Sequence, residues 1–217
     1  MGTGVRRGTV RVYCAGPLFN QKEKDEMQEL ADGLKAAGFD TFLPQRDGLE
    51  LTACVDALVS GGMERTPAGV LASQAIFALD VFQVLEHCQA LVANLNGRVP
   101  DEGAVAEAAM AWACGKTVIG YKADSRTAFG GEDNPLVAGL FEFRLARSLP
   151  DAVEALSVAL GTPQALNRQN YRRQEEIKLY IRRGQEIWHA LRESRNIGTV
   201  AQLIRSYAEG PASQVRL

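Results

Sequence analysis

Residues 90–95 (ALVANL) followed by residues 101–110 (DEGAVAEAAM) decide the fold class of this chain. The first segment is a short, largely apolar run, as is typical of a buried strand in a parallel sheet. The second begins with an acid and a glycine and continues as an alanine-rich helix, whose small side chains suit close packing against a sheet. A strand followed directly by such a helix is the repeating unit of an α/β protein.

The same alternation continues on both sides of this segment. The predicted strands are Thr9–Cys14, Phe39–Leu43, Ala90–Leu95, Lys116–Tyr121 and Phe141–Leu145, and the predicted helices are Gln21–Ala37, Ser73–His87, Gly103–Cys114 and Leu149–Leu160. This order favours a doubly wound, flavodoxin- or Rossmann-like parallel sheet of five strands with helices on both faces. Ligands bind such sheets beyond the carboxyl ends of the strands.

Two regions depart from this alternation. Residues 45–72 are polar and contain glycine, with a weak helical pattern only near Ala53–Val59, and we interpret them as a functional loop or lid. Residues 164–196 interleave arginine and other polar residues with apolar ones, which predicts an amphipathic helix docked on its own domain or on a second subunit. We therefore expect an α/β domain over residues 1–160 and a helical C-terminal extension over residues 161–217.

Composition narrows the classes of partner and compartment. The formal net charge of -2, with acids diluting the arginines of the tail, argues against a nucleic-acid-binding surface. No uninterrupted apolar run looks long enough to span a bilayer, and residues 1–8 lack the apolar core of a signal peptide. The four cysteines lack C-x-x-C spacing, and Cys14, Cys88 and Cys114 lie in apolar segments, so we expect buried thiols in a reduced, cytoplasmic protein.

The sequence predicts neither a metal site nor a cofactor. Its two histidines, His87 and His189, have no ligand-like neighbour at a useful spacing. No G-x-G-x-x-G follows the first strand, and there is no Walker sequence, so the dinucleotide and P-loop classes are disfavoured.

Glu107 is a candidate catalytic carboxylate because it falls among alanine, valine and methionine. A carboxylate in such surroundings is costly to bury without a partner, although a nearby helix N-terminus would ease its charge. A carboxylate that stays ionised at neutral pH suits a nucleophile better than a general acid. Asp101 and Glu107 could equally be a helix cap and a solvated side chain on an outer face.

Four further segments accompany the D-x-G-x-x-x-E pattern of residues 101–107. They are YCAGPLF (13–19), LPQRDG (43–48), IFALD (76–80) and DNPL (133–136). In this order and on these elements, the five segments resemble the nucleoside 2-deoxyribosyltransferase family, from about Val10 to Val137. The resemblance does not cover the tail beyond about residue 161.

The resemblance implies a role for each matching residue. Glu107 takes the place of the nucleophile, and the Tyr13 hydroxyl orients it. Asp101 and Asp80 take the places of acids that contact the nucleobase and assist proton transfer. The implied substrate-binding positions are Ala15, Gly16, Pro17, Phe19, Gln45, Arg46, Asp47, Gly103 and Asn134.

Some of these residues have ordinary structural alternatives. Tyr13 could be a packed core aromatic, Asp80 a helix-surface acid, and residues 45–47 plain turn residues. Gly16 would let the backbone approach the sugar closely. Asn134 matches a residue that reaches the sugar bound by a neighbouring subunit, which implies a homo-oligomer, a dimer or larger.

The chemistry implied is the transfer of 2-deoxyribose between nucleobases, with 2′-deoxynucleosides and free bases as substrates. A carboxylate can stabilise the oxocarbenium-like state at C1′ and bond to it covalently, as in retaining glycosidases. A second base then attacks and regenerates a nucleoside, whereas attack by water gives hydrolysis. An acid such as Asp101 helps the first base to leave by protonating it.

Two other functions stay open. One is an N-glycosidase acting on 2′-deoxynucleoside 5′-monophosphates, which needs a phosphate cradle. The turn Ala15–Asn20 has one glycine, no serine and no arginine, which favours a free nucleoside, although Arg46 or Arg98 could still contact a phosphate. The other is a non-catalytic nucleotide-sensing module, which would be expected to have lost the nucleophile.

Overall fold

The computed structural model describes residues 10–127, 133–160, 175–194 and 196–209. In chain order its helices are α1 (Gln21–Ala36), α2 (Pro44–Asp47), α3 (Leu51–Ser60), α4 (Arg65–Phe82), α5 (Glu102–Ala113), α6 (Pro135–Leu140), α7 (Leu149–Leu160), α8 (Glu175–Ser194) and α9 (Ile197–Glu209). The chain forms two compact units, Met1–Leu43 with His87–Tyr171 and Pro44–Glu86 with Arg172–Leu217.

The first unit is built on an all-parallel, five-stranded sheet in the order β2-β1-β3-β4-β5. The strands are β1 (Arg11–Ala15), β2 (Asp40–Phe42), β3 (Ala90–Asn94), β4 (Thr117–Tyr121) and β5 (Leu145–Ala146). All five residues of the central strand β3 are buried, as expected of a strand covered on both faces. The doubly wound sheet predicted from the sequence is confirmed, except that Thr9 of the predicted first strand lies outside the described residues.

Helices cover both faces of this sheet. On one face, side chains of β1 and β3 join those of α1 and α7 in one buried cluster, which includes Val12, Cys14, Val92, Met27, Leu30, Leu34, Ala152 and Leu156. On the other face, α5 buries Ala104, Ala108 and Ala111. Because successive side chains of a strand point to opposite faces, Tyr13 faces α5 while its neighbours Val12 and Cys14 face α1.

The fifth strand starts later than predicted. Residues 141–145 are apolar enough to suggest a strand, but Glu142 and Phe143 adopt left-handed φ angles of 54° and 59°. The Phe143 amide donates to the Ala138 carbonyl over 2.9 Å, so these residues complete the end of α6. Only Leu145–Ala146 pairs with β4.

In the second unit, the prediction that residues 45–72 form a loop or lid is wrong. Helices α2 and α3 and the first part of α4 occupy this segment, and α4 begins eight residues before the predicted start at Ser73. Glu50 caps α3 by accepting the amides of Thr52 (3.0 Å) and Ala53 (2.5 Å). The segment is helical because its small and apolar residues are buried, among them Cys54, Leu58, Ala68, Leu71 and Ala72.

The C-terminal helices belong to this second unit. At Gly184 of α8, an added Cβ would lie 1.9 Å from the Ala78 carbonyl oxygen and 2.3 Å from Phe82 Cβ, so α8 and α4 meet backbone to backbone. Arg205 of α9 donates to the Gly61 carbonyl at the end of α3. The compact units therefore group residues differently from the division at residue 160 expected from the sequence, while residues 161–174 lie outside the described ranges.

Helix α4 and the π-helical turn Gln83–His87 that follows it form one long apolar segment. By length and composition, the segment Arg65–His87 could cross a membrane, because an 18-residue window within it has a mean hydropathy of 1.6. The sequence analysis overlooked this run because polar residues such as Gln74 and Asp80 interrupt it. In the structure 61% of that window is buried, as in the core helix of a folded unit, so the feature is weak support for a membrane span.

The four cysteines are free and buried, which confirms the prediction for Cys14, Cys88 and Cys114. Burial, reinforced by the nearby charge of Glu50, raises the pKa of the Cys54 thiol to about 11. Burial also raises the pKa of Cys88 far above its ordinary value. Since the thiolate is the reactive form, these thiols are poor nucleophiles near neutral pH.

Candidate active site

Strand β1 and helix α5 bring Tyr13 and Glu107 together. The Tyr13 hydroxyl donates a hydrogen bond of 2.6 Å to Glu107 Oε1. The Tyr13 ring is fully buried and stacks on Phe42 with 5.4 Å between ring centroids, so packing fixes the position of the hydroxyl. The bond supplies the hydrogen-bond partner that a half-buried carboxylate needs.

The position of Glu107 on α5 explains why it needs this partner. Glu107 lies in the second turn, on the same stripe as the buried Ala104, Ala108 and Ala111. The influence of a helix dipole falls off within the first turn. The Tyr13 hydroxyl is therefore a more direct source of stabilisation than the helix N-terminus considered in the sequence analysis.

Asp101 is the N-cap of α5, which is the structural role that the sequence analysis gave as an alternative to a catalytic one. Its Oδ2 accepts the Ala104 amide over 2.7 Å. Within the described ranges, no hydrogen bond reaches its other oxygen, Oδ1. A Cβ at Gly103 would lie 3.1 Å from Asp101 Oδ2, so the glycine keeps space open beside this carboxylate. One oxygen thus fixes the side chain while the other can contact a ligand.

Four of the implied binding residues lie at the end of β1 and in the loop that follows it. Ala15 and Pro17 are buried, whereas the Phe19 side chain is 77% exposed. A Cβ at Gly16 would lie 2.3 Å from Met27 Sδ and 3.0 Å from Asn94 Cβ. Packing of α1 against β3 therefore requires glycine at this position, independently of any sugar.

The N-terminus of α1 is occupied by groups of the chain itself. Asn20 Oδ1 accepts the Glu23 amide over 3.1 Å, and Glu23 Oε2 accepts the Phe19 amide over 2.8 Å. Helix N-termini of this kind bind phosphates because their amides are free and their dipole is positive. A carboxylate already bonded at this end makes it a poor site for a second anion.

The loops after β3 and β4 are fastened together by side chains that the sequence analysis missed. Asn96 Oδ1 accepts the amides of Ala123 (2.9 Å) and Asp124 (3.0 Å), and Asp124 Oδ2 accepts the Gly97 amide over 3.1 Å. Hydrogen bonds from Arg126 lower the pKa of Asp124 well below its usual range. The available signal was an Asn and an Asp just after predicted strands, where such side chains bond to backbone amides.

Asn134 is the N-cap of α6. Its Oδ1 accepts the Leu136 amide over 2.9 Å, and its side chain is exposed. The preceding residue, Asp133, forms an ion pair with Lys122, whose side chain is fully buried. The sequence analysis did not single out Lys122.

The remaining candidates, Gln45, Arg46, Asp47 and Asp80, belong to the second unit. The first three lie on the single turn α2, where the Arg46 guanidinium donates to both carboxylate oxygens of Asp47 over 2.9 Å and 2.6 Å. Asp80 is partly buried near the end of α4. Among the side chains that the structure describes, no group of three His, Cys, Asp or Glu residues gathers to hold a metal ion.

A family model described as nucleoside 2-deoxyribosyltransferase matches residues 12–141. Among solved structures, the chain is similar to a conserved protein from Enterococcus faecalis V583, with 22% identity over 69% of this chain and 98% of that one, at a TM-score of 0.52. It is also similar to a 2-desoxiribosyltransferase from Leishmania mexicana, with 17% identity over 69% of this chain and 97% of that one, at a TM-score of 0.41. No curated protein matches the sequence. The likeness to the Enterococcus faecalis protein is one of fold.

Proposed function

The chain belongs to the nucleoside 2-deoxyribosyltransferase family, and on that premise we propose that it moves 2-deoxyribose from one nucleobase to another. The donor is a 2′-deoxynucleoside and the acceptor a free base. The observation that carries the proposal is the 2.6 Å hydrogen bond from Tyr13 to Glu107. It fixes the Oε1 oxygen of an ionisable side chain, and we infer that the carboxylate held in this way attacks the sugar.

In the first half-reaction Glu107 attacks C1′ from the face opposite the departing base. The C1′–O bond forms as the C1′–N bond breaks, and the electron pair of that bond leaves with the base. Asp101 or Asp80 protonates the base, so that it departs neutral. The covalent glutamyl-deoxyribosyl ester is part of this proposal, as are the roles of both acids.

In the second half-reaction a nitrogen of the incoming base attacks C1′ and displaces the Glu107 carboxylate. The incoming base gives its proton back to the acid, and both side chains return to their starting states. Two inversions give net retention of configuration. If water takes the place of the base, the same ester is hydrolysed. These steps use no metal and no cofactor.

The N-terminus of α1 supports a free nucleoside rather than a 5′-monophosphate. Asn20 accepts the Glu23 amide and Glu23 accepts the Phe19 amide, so two amides near this end are already bonded, and the Glu23 carboxylate would repel a phosphate. Phe19, Gly16 and Gly103 are proposed to border the nucleoside, with Gln45, Arg46 and Asp47 as further contacts. Asn134 is proposed to complete the sugar site of an adjoining subunit in a dimer or larger oligomer.

Base exchange tests the proposal directly. The protein is incubated with deoxyinosine, with and without adenine, and the products are separated by chromatography. We expect hypoxanthine and deoxyadenosine in the presence of adenine, and inosine should be a poor donor, because a 2′-hydroxyl withdraws electrons from the developing cation. Release of free sugar at the same rate with or without adenine, above all of deoxyribose 5-phosphate from deoxyinosine 5′-monophosphate, would instead favour the N-glycosidase. No product with any donor would favour the sensing module.

A further inference from the structure

Lys122 is a fully buried lysine at the carboxyl end of β4. Its Nζ forms an ion pair with Asp133, whose side chain is only 11% exposed. Its backbone is fixed by the sheet, because the Lys122 amide donates to the Ala146 carbonyl over 2.9 Å. The preceding carbonyl, of Tyr121, accepts the Leu95 amide over 2.8 Å. The backbone from which the Lys122 side chain extends is therefore fixed by hydrogen bonds to neighbouring strands.

A buried ion pair fills the interior of a protein at a higher cost in free energy than apolar side chains do. Removing two charges from water carries a large desolvation cost, and apolar residues of similar volume are often equally stable or more so. What an ion pair offers instead is direction, since a charge-assisted hydrogen bond holds its acceptor at a defined place. The pair is therefore better explained by where it puts Asp133 than by the stability it adds.

Asp133 immediately precedes Asn134, so whatever holds one holds the other. Their Cα atoms are about 3.8 Å apart, as in any trans peptide. Asn134 in turn starts α6, through its Oδ1 bond to the Leu136 amide and a 2.9 Å bond from the Ala138 amide to its carbonyl. The route from the sheet to the Asn134 side chain thus runs through Lys122 and Asp133, and every link is a described hydrogen bond or a peptide bond.

We propose that Lys122 is a positioning residue, whose buried ion pair with Asp133 holds Asn134 where it binds the sugar. The inference rests on the proposed function, because that function gives Asn134 its substrate contact. Asparagine has a short side chain, so a backbone shift of about 1 Å moves its amide out of hydrogen-bond range. Losing the pair should therefore weaken sugar binding without touching Glu107.

The test uses the double variant Lys122→Met/Asp133→Leu, which replaces both charged side chains with apolar ones and so leaves neither charge buried without its partner. We expect the donor KM to rise about tenfold, the loss of roughly one hydrogen bond, with a smaller change in kcat. Asn134→Ala should raise KM similarly, and the triple variant should add little, because residues acting through one contact are not additive. Arg65→Met, which breaks the exposed pair with Asp56, is the control and should leave KM unchanged.

A second readout does not depend on activity. Amide hydrogen exchange at Leu136 reports directly on the Asn134 cap, and it should be faster in the double variant than in wild type. Two results would overturn the inference. One is a double variant whose donor KM lies within twofold of wild type and whose hydrogen exchange at Leu136 is unchanged. The other is a triple variant in which the effects of the double variant and of Asn134→Ala on KM are fully additive.

Two contingencies keep the outcomes distinct. If the double variant does not fold, Asp133→Asn, which keeps the shape of the side chain, is judged by the same KM and exchange criteria. If the wild-type protein neither transfers deoxyribose to another base nor hydrolyses any donor, the proposed function fails. Hydrogen exchange at the Leu136 amide then tests the positioning by Lys122 on its own. Faster hydrogen exchange in the double variant supports the positioning, and unchanged hydrogen exchange overturns it.

Discussion

The two compact units hold their candidate functional residues in different ways. In the first, Glu107 and Asp101 accept hydrogen bonds from groups whose backbones are fixed in a sheet or helix. In the second, Asp80 lies on a helix whose position depends on close packing, with Gly184 of α8 against Ala78. The Glu107 side chain can therefore be changed with little effect on its backbone, whereas one carbon added at Gly184 in the second unit alters the spacing of two helices. Substitutions at the Glu107 site should therefore change activity more than stability, and substitutions at packing positions of the second unit should change stability more than activity.

The largest effect is expected for Glu107→Gln. Glutamine keeps the size of the side chain and an oxygen that can accept the Tyr13 hydrogen bond, but it cannot act as the nucleophile. Turnover should fall by about three orders of magnitude or more, because loss of a nucleophile typically costs that much, while the free energy of unfolding changes little. Mass spectrometry of wild-type protein quenched with donor alone should show the sugar adduct, which the variant should lack. Retention of more than about a tenth of the activity would contradict the assignment.

The next effect, on stability, is expected for Gly184→Ala. A methyl group at this position would meet the Ala78 carbonyl oxygen at 1.9 Å, so α8 and α4 must separate, at a cost of about 1–3 kcal/mol in unfolding free energy. Gly69→Ala in α4 is the matched control. Among the described residues, no heavy atom outside the adjacent backbone of α4 lies within 4 Å of its added Cβ, so the change should stabilise the protein by up to about 1 kcal/mol. Urea unfolding of both variants measures the difference, and equal midpoints would show that α8 does not pack on α4 at Gly184.

The same contrast explains how far the sequence predicts the fold. Apolar runs separated by helical patterns located the sheet of the first unit to within a few residues, and Leu149–Leu160 was predicted with the observed bounds. The second unit was missed between residues 45 and 72. Alanine, which carries little hydrophobic signal, supplies part of its core at Ala68 and Ala72, and Gly184 meets Ala78 more than a hundred residues away in the sequence. No local pattern can reveal such a contact.

The candidate site divides in a similar way. The spacing of Asp101 and Glu107 singled out both carboxylates, whereas the role of Tyr13 came from the family resemblance, since 94 positions separate it from Glu107. Lys122 was overlooked because lysines are almost never fully buried unless paired, and its partner, Asp133, lies 11 positions further along the chain. Patterns along the chain can therefore identify single candidate residues, whereas interacting pairs that are distant in the sequence are identified only from the folded structure.

The smallest effect is expected for Tyr13→Phe, and a matched pair in the second unit makes it informative. Phenylalanine keeps the ring stacked on Phe42 but removes the hydroxyl bonded to Glu107. Losing a hydrogen bond to a charged group should lower kcat by roughly 10- to 100-fold, because Glu107 is then poorly oriented. The Tyr207 hydroxyl likewise donates to a carboxylate, Glu186 Oε2, over 2.7 Å. Burial is the larger cause, and this hydrogen bond the smaller one, of a Tyr207 pKa above its ordinary value.

Tyr207→Phe therefore removes the same kind of bond from the unit held by packing. It should lower the free energy of unfolding by about 0.5–1.5 kcal/mol and leave kcat at the wild-type value, while Tyr13→Phe should do the reverse. Steady-state kinetics and urea unfolding on both variants supply the four numbers needed. If the two substitutions lowered kcat equally, the Tyr13 bond would be doing no more than holding the structure together, and Glu107 would lose the observation that distinguishes it from any other half-buried acid.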